Sequence, residues 1–166
     1  MAKQQPVVEE LWNNLDPEKY PSNEYQKHIL EQYKILVETA DKVTDRRNQI
    51  NAFFLSVNTL VLTVFALIYD IEVGITEKLL IIPPLIAVLG ICVLWFLTLL
   101  SYRKLNKAKF AVINDGYEPL LPSRPFHSEW IYATKLKRPE VTIVEMVLPW
   151  LFIALYIFVA VILFLS

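Results

Sequence analysis

The sequence predicts an all-α integral membrane protein with three transmembrane helices. Of its 166 residues, 55% are hydrophobic and 20% are charged, a larger apolar share than a soluble domain of this length can bury. Three apolar runs, at about residues 50–69, 79–100 and 145–166, are each long enough to cross a bilayer, which takes about 20 helical residues. Because backbone amides in lipid must be satisfied within their own segment, each run is predicted to be a helix.

The positive charges predict that the N-terminus lies in the cytoplasm and the C-terminus outside. Of the 16 Lys and Arg residues, seven lie in residues 1–49, eight in residues 101–144 and one in residues 70–78. Positive residues concentrate in cytoplasmic loops, so we expect both basic segments in the cytoplasm. The predicted location is the cell inner (plasma) membrane, as a multi-pass protein. The residues predicted to bind anionic lipid head groups beside the spans are Arg46, Arg103 and Lys104.

The spans and the breaks between them divide the chain into six segments. In chain order these are an N-terminal amphipathic segment (1–22), a long amphipathic cytoplasmic helix that continues into the first span (23–69), an external hairpin (70–78), the second span (79–100), a cytoplasmic helix with a proline-rich loop (101–144) and the third span (145–166). Pro21 is the last helix breaker before Tyr69, which predicts that the long helix is continuous. Gly116 is the predicted stop of the helix that follows the second span.

A stripe of residues at heptad spacing runs along the long helix. It is apolar in the first half and partly polar in the membrane, where Asn is unfavourable unless its amide finds a partner. The pattern predicts packing against protein along the whole helix, either the same chain or a neighbouring subunit, and a pore lining is an alternative. The candidate residues for this oligomer seam or pore lining are Ile29, Tyr33, Leu36, Ala40, Val43, Arg47, Asn51 and Asn58.

Composition and motifs exclude several function classes. A net charge of −1 argues against a nucleic-acid partner, and one cysteine rules out a disulfide framework or a Cys-based metal site. The sequence around His28 and His127 shows no pattern of Cys, Asp or Ser residues that could act with them in catalysis. Glu145 is interpreted as a residue at the membrane boundary. We therefore expect a non-enzymatic protein without catalytic residues, cofactor or metal.

Three stretches together resemble a known family. They are RRxxxNxFFLSxNT from Arg46 to Thr59, SYRxLNxAKFxVI from Ser101 to Ile113, and Leu121-Pro122 followed by Trp130, Glu145 and Pro149. In this order around three spans, they resemble the RipA family of small bacterial inner-membrane proteins, which are described as octameric. The resemblance implies a homo-oligomer linked to envelope adaptation, stress tolerance and, in pathogens, replication inside host cells. It implies no catalytic residues.

Two functions follow as hypotheses. The first is a structural or scaffolding role for a homo-oligomeric ring, with self-association and anionic lipid as the partners. The second is an oligomeric pore, or a transmembrane effector of a defence system, in which the polar face of the first span lines the axis. The layout of basic residues before a transmembrane hairpin is similar to SLATT-type effectors of anti-phage systems, although the third span fits them less well.

Overall fold

The computed structural model describes residues 11–13, 20, 22–69, 79–137 and 141–165. Every regular element in these ranges is helical. In chain order the elements are α1 (Ser22–Tyr69), α2 (Ile82–Ala111), a π-helical segment (Val112–Tyr117), a 3-10 helix (Glu118–Leu120), α3 (Pro125–Lys135), α4 (Val141–Glu145) and α5 (Val147–Leu165).

Three helical stretches are long and apolar enough to cross a membrane. They are Glu24–Leu67, Ile82–Leu120 and Val141–Ile162. The predictions of an all-helical protein and of three helices long and apolar enough to span a membrane are therefore confirmed, and the direction in which the helices cross stays a prediction. The hairpin predicted at residues 70–78 and most of the amphipathic segment predicted at residues 1–22 lie outside the described residues.

Helix α1 is a single element of 48 residues. It contains neither proline nor glycine, and so no residue that ends a helix by removing an amide donor or by adding backbone freedom. Its first half carries both acidic and basic side chains, and its second half is uncharged after Arg47. One helix therefore contains both a charged section and a section with the composition of a membrane span.

The contacts divide the chain into two compact units. Unit 1 consists of Met1–Asp45 and Arg103–Arg138, and unit 2 consists of Arg46–Tyr102 and Pro139–Ser166. Helices α1 and α2 each contribute residues to both units.

The core of unit 2 lies between α1, α2 and α5. On α2, the buried residues Val88, Cys92, Trp95 and Leu99 recur at spacings of four, three and four, which places them on one helix face. Aromatic rings fill the space opposite this face. The ring of Trp95 is stacked on that of Phe54 at a centroid distance of 5.8 Å and contacts that of Phe152 at 6.0 Å. The buried hydrophobic residues of this core are Phe65, Ile81, Val88, Cys92, Trp95, Leu99, Phe152 and Tyr156.

The third span begins with a short break between α4 and α5. Helix α4 ends at Glu145, Met146 forms a turn, and α5 begins at Val147. Pro149, whose side chain is fully buried, explains the break. A proline cannot donate to the carbonyl four residues earlier, and its ring clashes with that carbonyl, which here belongs to Glu145.

Unit 1 is held by an aromatic contact and by polar contacts. Phe126 of α3 packs its ring against those of Tyr33 and Phe110, at centroid distances of 6.4 and 6.0 Å. The hydroxyl of Tyr117 donates to Gln32 Oε1 at 2.9 Å. The first part of α1 is thus tied both to α3 and to the π-helical segment.

Gly116 does not end the helix that follows α2, contrary to the sequence prediction. The chain stays helical to Leu120, and Gly116 lacks the positive φ typical of a glycine that terminates a helix. A Cβ at this position would collide with the side chain of Leu11. The glycine therefore leaves room for the end of the Leu11 side chain, which would have to move to admit a larger residue, and it does not form a turn.

Candidate functional site

The polar residues of the first span form a ladder inside unit 2. Arg47, Asn51 and Asn58 are separated by four and seven residues, so they lie on one face of α1. Each of them contacts side chains of another helix. We call these three residues and their partners the polar ladder.

Asn58 is the most completely enclosed member of the polar ladder, with no exposed surface. Its side-chain oxygen accepts a hydrogen bond from the Cys92 thiol at 3.1 Å and from the Tyr156 hydroxyl at 3.0 Å. The Tyr156 hydroxyl is also 3.0 Å from the main-chain oxygen of Asn58. The Asn58 amide nitrogen donates to the carbonyl of Phe54 at 2.8 Å. One amide therefore connects α1, α2 and α5.

Asn51 connects α1 to α2 about two turns earlier. Its side-chain oxygen accepts a hydrogen bond from the indole nitrogen of Trp95 at 3.0 Å. The Trp95 side chain is fully buried, and an indole N–H needs an acceptor when it is removed from water. Asn51 supplies that acceptor.

Arg47 connects α1 to α4 through a buried ion pair and a hydrogen bond. Arg47 is 8% exposed, and its Nη1 donates to the hydroxyl of Thr142 at 2.7 Å. Its Nε lies 3.3 Å from Glu145 Oε2. These two atoms are close enough for an ion pair but lack the alignment of a hydrogen bond. Each charge offsets the other in a site with little water, where a single charge would be strongly unfavourable.

The sequence-derived candidates lie largely inside the chain. Ile29, Ala40, Val43, Arg47 and Asn58 are buried, and Tyr33, Leu36 and Asn51 are half-buried. These side chains are covered by other residues of the same chain, which is one of the two partners left open by the heptad stripe. Contact of any of them with a second subunit stays a prediction.

The three residues predicted to bind lipid head groups differ in exposure. Arg46 and Lys104 are exposed, and Arg103 is half-buried. Binding of lipid by these three side chains stays a prediction.

Several partners in the polar ladder were missed by the sequence analysis. Cys92 was not identified as a partner of the first span, although its thiol donates to Asn58. Thr142 and Tyr156 were not considered as partners at all. Glu145 was interpreted as a boundary residue, but its carboxylate faces Arg47. A search for the counter-ion of Glu145, the carboxylate beside a span, could have found the Arg47 pair.

A second buried polar contact lies in unit 1, at the start of α3. Glu118 has no exposed surface, and its carboxylate accepts the backbone N–H groups of Phe126 and His127 at 2.8 and 3.0 Å. The first N–H groups of a helix lack partners within the helix and carry a partial positive charge. Glu118 therefore caps α3 and fixes its N-terminal end within unit 1.

The arrangement of side chains is suited to holding helices together. The oxygens of Asn51 and Asn58 accept hydrogen bonds from partners within the same unit. Within residues 11–13, 20, 22–69, 79–137 and 141–165, no group of three or more His, Cys, Asp or Glu residues could hold a metal ion. His28 lies 2.6 Å from the hydroxyl of Tyr20 through Nδ1, and the His127 ring stacks on that of Trp130.

A comparison with known families assigns the chain. The model of the octameric membrane protein family, 8xMP, matches residues 30–165. The chain belongs to this family. The match covers the three candidate spans almost completely and includes every member of the polar ladder. No curated protein and no solved structure matches the chain.

Membership of the octameric membrane protein family confirms part of the sequence analysis. The resemblance to a family of octameric membrane proteins is confirmed at that level. Together with the three candidate spans, membership makes the chain a multi-pass membrane protein of a self-assembling family.

The contact between Asn58 and Tyr156 predicts an energetic coupling. Asn58→Leu removes the acceptor of this hydrogen bond, and Tyr156→Phe removes the donor. The loss of stability in the double variant should therefore be smaller than the sum of the losses in the two single variants. We expect a coupling energy of about 0.5–2 kcal/mol, within the range of hydrogen bonds between helices in membranes. The measurement is the free energy of unfolding in mixed micelles for the four proteins of the cycle.

Thr59 provides the control for this cycle. It is exposed next to Asn58, and its hydroxyl bonds only within α1, to the carbonyl of Leu55. Thr59→Val combined with Tyr156→Phe should be additive. Additive losses in the Asn58 cycle itself would contradict the assigned contact.

The buried pair of Arg47 and Glu145 predicts a difference between single and double substitutions. Glu145→Leu leaves a buried guanidinium without its counter-ion and should lower the free energy of unfolding by about 3–5 kcal/mol. The double variant Arg47→Met, Glu145→Leu should lose less than half of that, because no unpaired charge remains.

The exposed pair of Glu38 and Lys42 is the matched control, with side chains 65% and 61% exposed. Removing Glu38 alone should leave the free energy of unfolding nearly unchanged, because water screens an ion pair between exposed side chains. Equal losses for the single and double variants of the buried pair would show that Arg47 and Glu145 do not act as a pair.

Proposed function

We propose that this protein is a non-enzymatic scaffold of the bacterial inner membrane that assembles into a ring of eight copies. The observation that carries the proposal is that the amide side chains of α1 point into the subunit and bond to its other helices. Asn58 has no exposed surface, and its oxygen is occupied by Cys92 and Tyr156. A side chain used in this way stabilises the subunit and has no free group for a passing ion.

The outward face of the first span supports the same role. Phe53, Leu60 and Leu67 are 62%, 66% and 63% exposed, and all three are large and apolar. Such a surface suits lipid or a neighbouring subunit and is unsuited to a water-filled axis. The apolar outer surfaces of the spans are therefore the proposed places where copies meet.

The channel alternative requires polar groups that face the axis of the assembly. The channel hypothesis assigns the pore lining to Asn51 and Asn58, but the side-chain oxygens of both residues accept hydrogen bonds from their own chain. Gated opening would have to break the polar ladder and leave buried polar groups without partners, which is unfavourable in a lipid environment. This expected penalty favours the scaffold over the channel.

The distribution of charge supports the proposed orientation. Fifteen of the 16 Lys and Arg residues lie in residues 1–49 and 101–144, which suits a cytoplasmic location for both segments. Arg46, Arg103 and Lys104 are then placed to meet anionic lipid on that side. By its resemblance to the RipA family, the assembly would act in envelope adaptation or stress tolerance.

Two measurements on one preparation test the scaffold against the channel. Native mass spectrometry of the full chain in lipid nanodiscs should give a particle of eight chains. The same protein in liposomes should pass no more K⁺ or Cl⁻ than protein-free vesicles, with valinomycin as the positive control for K⁺ and a synthetic chloride carrier as the positive control for Cl⁻.

Each outcome decides one part of the proposal. A monomer would contradict the ring. Eight chains with clear ion flux would contradict the scaffold and support the channel, especially if Asn58→Asp changed the ratio of cation to anion flux in a stably assembled particle.

A further inference from the structure

The second half of α3 lacks the cover that its first half has. Trp130 is 62% exposed, Tyr132 is 66% exposed, and Leu136, the next residue after the helix, is 78% exposed. No residue of α3 is fully buried. By contrast, Phe126 packs against two aromatic rings, and Glu118 caps the first turn. Unit 1 thus holds α3 by its beginning and leaves its end uncovered.

The exposed apolar side chains lie on two opposite sides of this end of the helix and do not form one stripe. At 100° per residue, Trp130 and Tyr132 point about 160° apart, whereas Leu136 lies near Tyr132. A flat surface could cover only one of these sides. A medium that surrounds the helix end, such as a lipid head-group layer, can contact all three residues.

The chemistry of this segment is that of a membrane interface. Trp and Tyr are enriched where hydrocarbon meets water, because their rings are apolar and their N–H or O–H groups are polar. Residues 130–138 contain Lys135, Lys137 and Arg138 and no acidic residue. The Lys135 ammonium lies 5.5 Å from the centre of the Tyr132 ring, so cationic and aromatic groups are presented together.

Chain connectivity places this segment next to a membrane span. Only residues 138–140 separate Lys137 from Val141, where the third candidate span begins. A connection of this length reaches at most about 14 Å when fully extended. The end of α3 is therefore confined to the neighbourhood of the bilayer surface in any membrane-inserted state of the protein.

We propose that residues 130–137 form a lipid-binding element whose aromatic side chains enter the head-group layer and whose lysines bind anionic phosphate groups. A second copy of the chain is the less suitable occupant, because the cores of subunit interfaces are depleted of lysine. The element acts on whichever side of the membrane carries residues 101–144, and it is independent of the choice between scaffold and channel.

Photo-crosslinking of the full chain in nanodiscs tests this proposal. p-Benzoylphenylalanine replaces Trp130, Tyr132 or Leu136, one position at a time, and intact mass separates adducts with lipid from adducts with a second chain. Gln26 is the control position: it is exposed on α1 and lies 20 residues before Arg46, about 30 Å along the helix. We expect lipid adducts at all three test positions, at least about fivefold above Gln26.

The composition of the nanodisc tests the role of the lysines. The discs contain phosphatidylcholine alone or an equal mixture with phosphatidylglycerol. For the probe at Tyr132, Lys135→Gln with Lys137→Gln should lower the yield of phosphatidylglycerol adducts at least about threefold and leave phosphatidylcholine adducts nearly unchanged. Equal yields with and without the lysines would overturn the assignment of anionic lipid.

Two results would overturn the proposal as a whole. Adducts with a second chain instead of lipid would assign the segment to a subunit interface. Lipid adducts no more frequent than at Gln26 would place the segment in water. Quenching by brominated lipid, compared between the unmodified protein and Trp130→Phe, checks the result without the crosslinker: the emission lost with Trp130 should be strongly quenched.

Discussion

An asparagine amide in a membrane span has no water to bind, and this constraint organises the membrane-spanning unit. Asn58 meets it with bonds to Cys92 on α2, to Tyr156 on α5 and to the carbonyl of Phe54 on its own helix. These contacts fix how α1 is rotated relative to the other two helices, because any other rotation would leave the amide in an apolar environment. The heptad-spaced residues of α2 and the stacked rings of Phe54 and Trp95 pack around the geometry that the amide sets.

The same constraint separates the inner and outer surfaces of the helices. Since the amide side chains of Asn51 and Asn58 are used within the chain, the surfaces left for lipid and for other copies are largely apolar in the spans. The exposed hydroxyls of Ser56, Thr59 and Thr63 bond to carbonyls of their own helix. Membership of the octameric family indicates self-assembly. The polar ladder holds the helices of each copy in a defined arrangement. Arg47 and Glu145 extend this logic to a pair of charges, which are acceptable at a buried position only because they lie together.

The three candidate spans could be predicted from the sequence because they are recognised by length and apolar composition alone. The covered face of α1 could also be predicted, since heptad spacing reports which side of a helix meets protein. Periodicity does not report which chain provides the cover. The partners of Asn58 could not be predicted either, because Tyr156 lies 98 residues away and pairs with it only at one rotation of both helices. The role of Gly116 was predicted wrongly because a glycine that makes room for a neighbouring side chain and a glycine that ends a helix look the same in a sequence.

The accessibility of Cys92 tests the central claim most directly. This thiol is the only one in the chain and bonds to Asn58, so it reports on the interior of the polar ladder without any substitution. In nanodiscs, a small charged methanethiosulfonate reagent should leave Cys92 unmodified over hours, while Gln26→Cys in the same chain reacts within minutes and Cys92 reacts fully once the protein is unfolded in detergent and urea. Rapid modification of Cys92 in the assembled protein would mean that water reaches the polar ladder, and it would contradict an inward-facing role for Asn58.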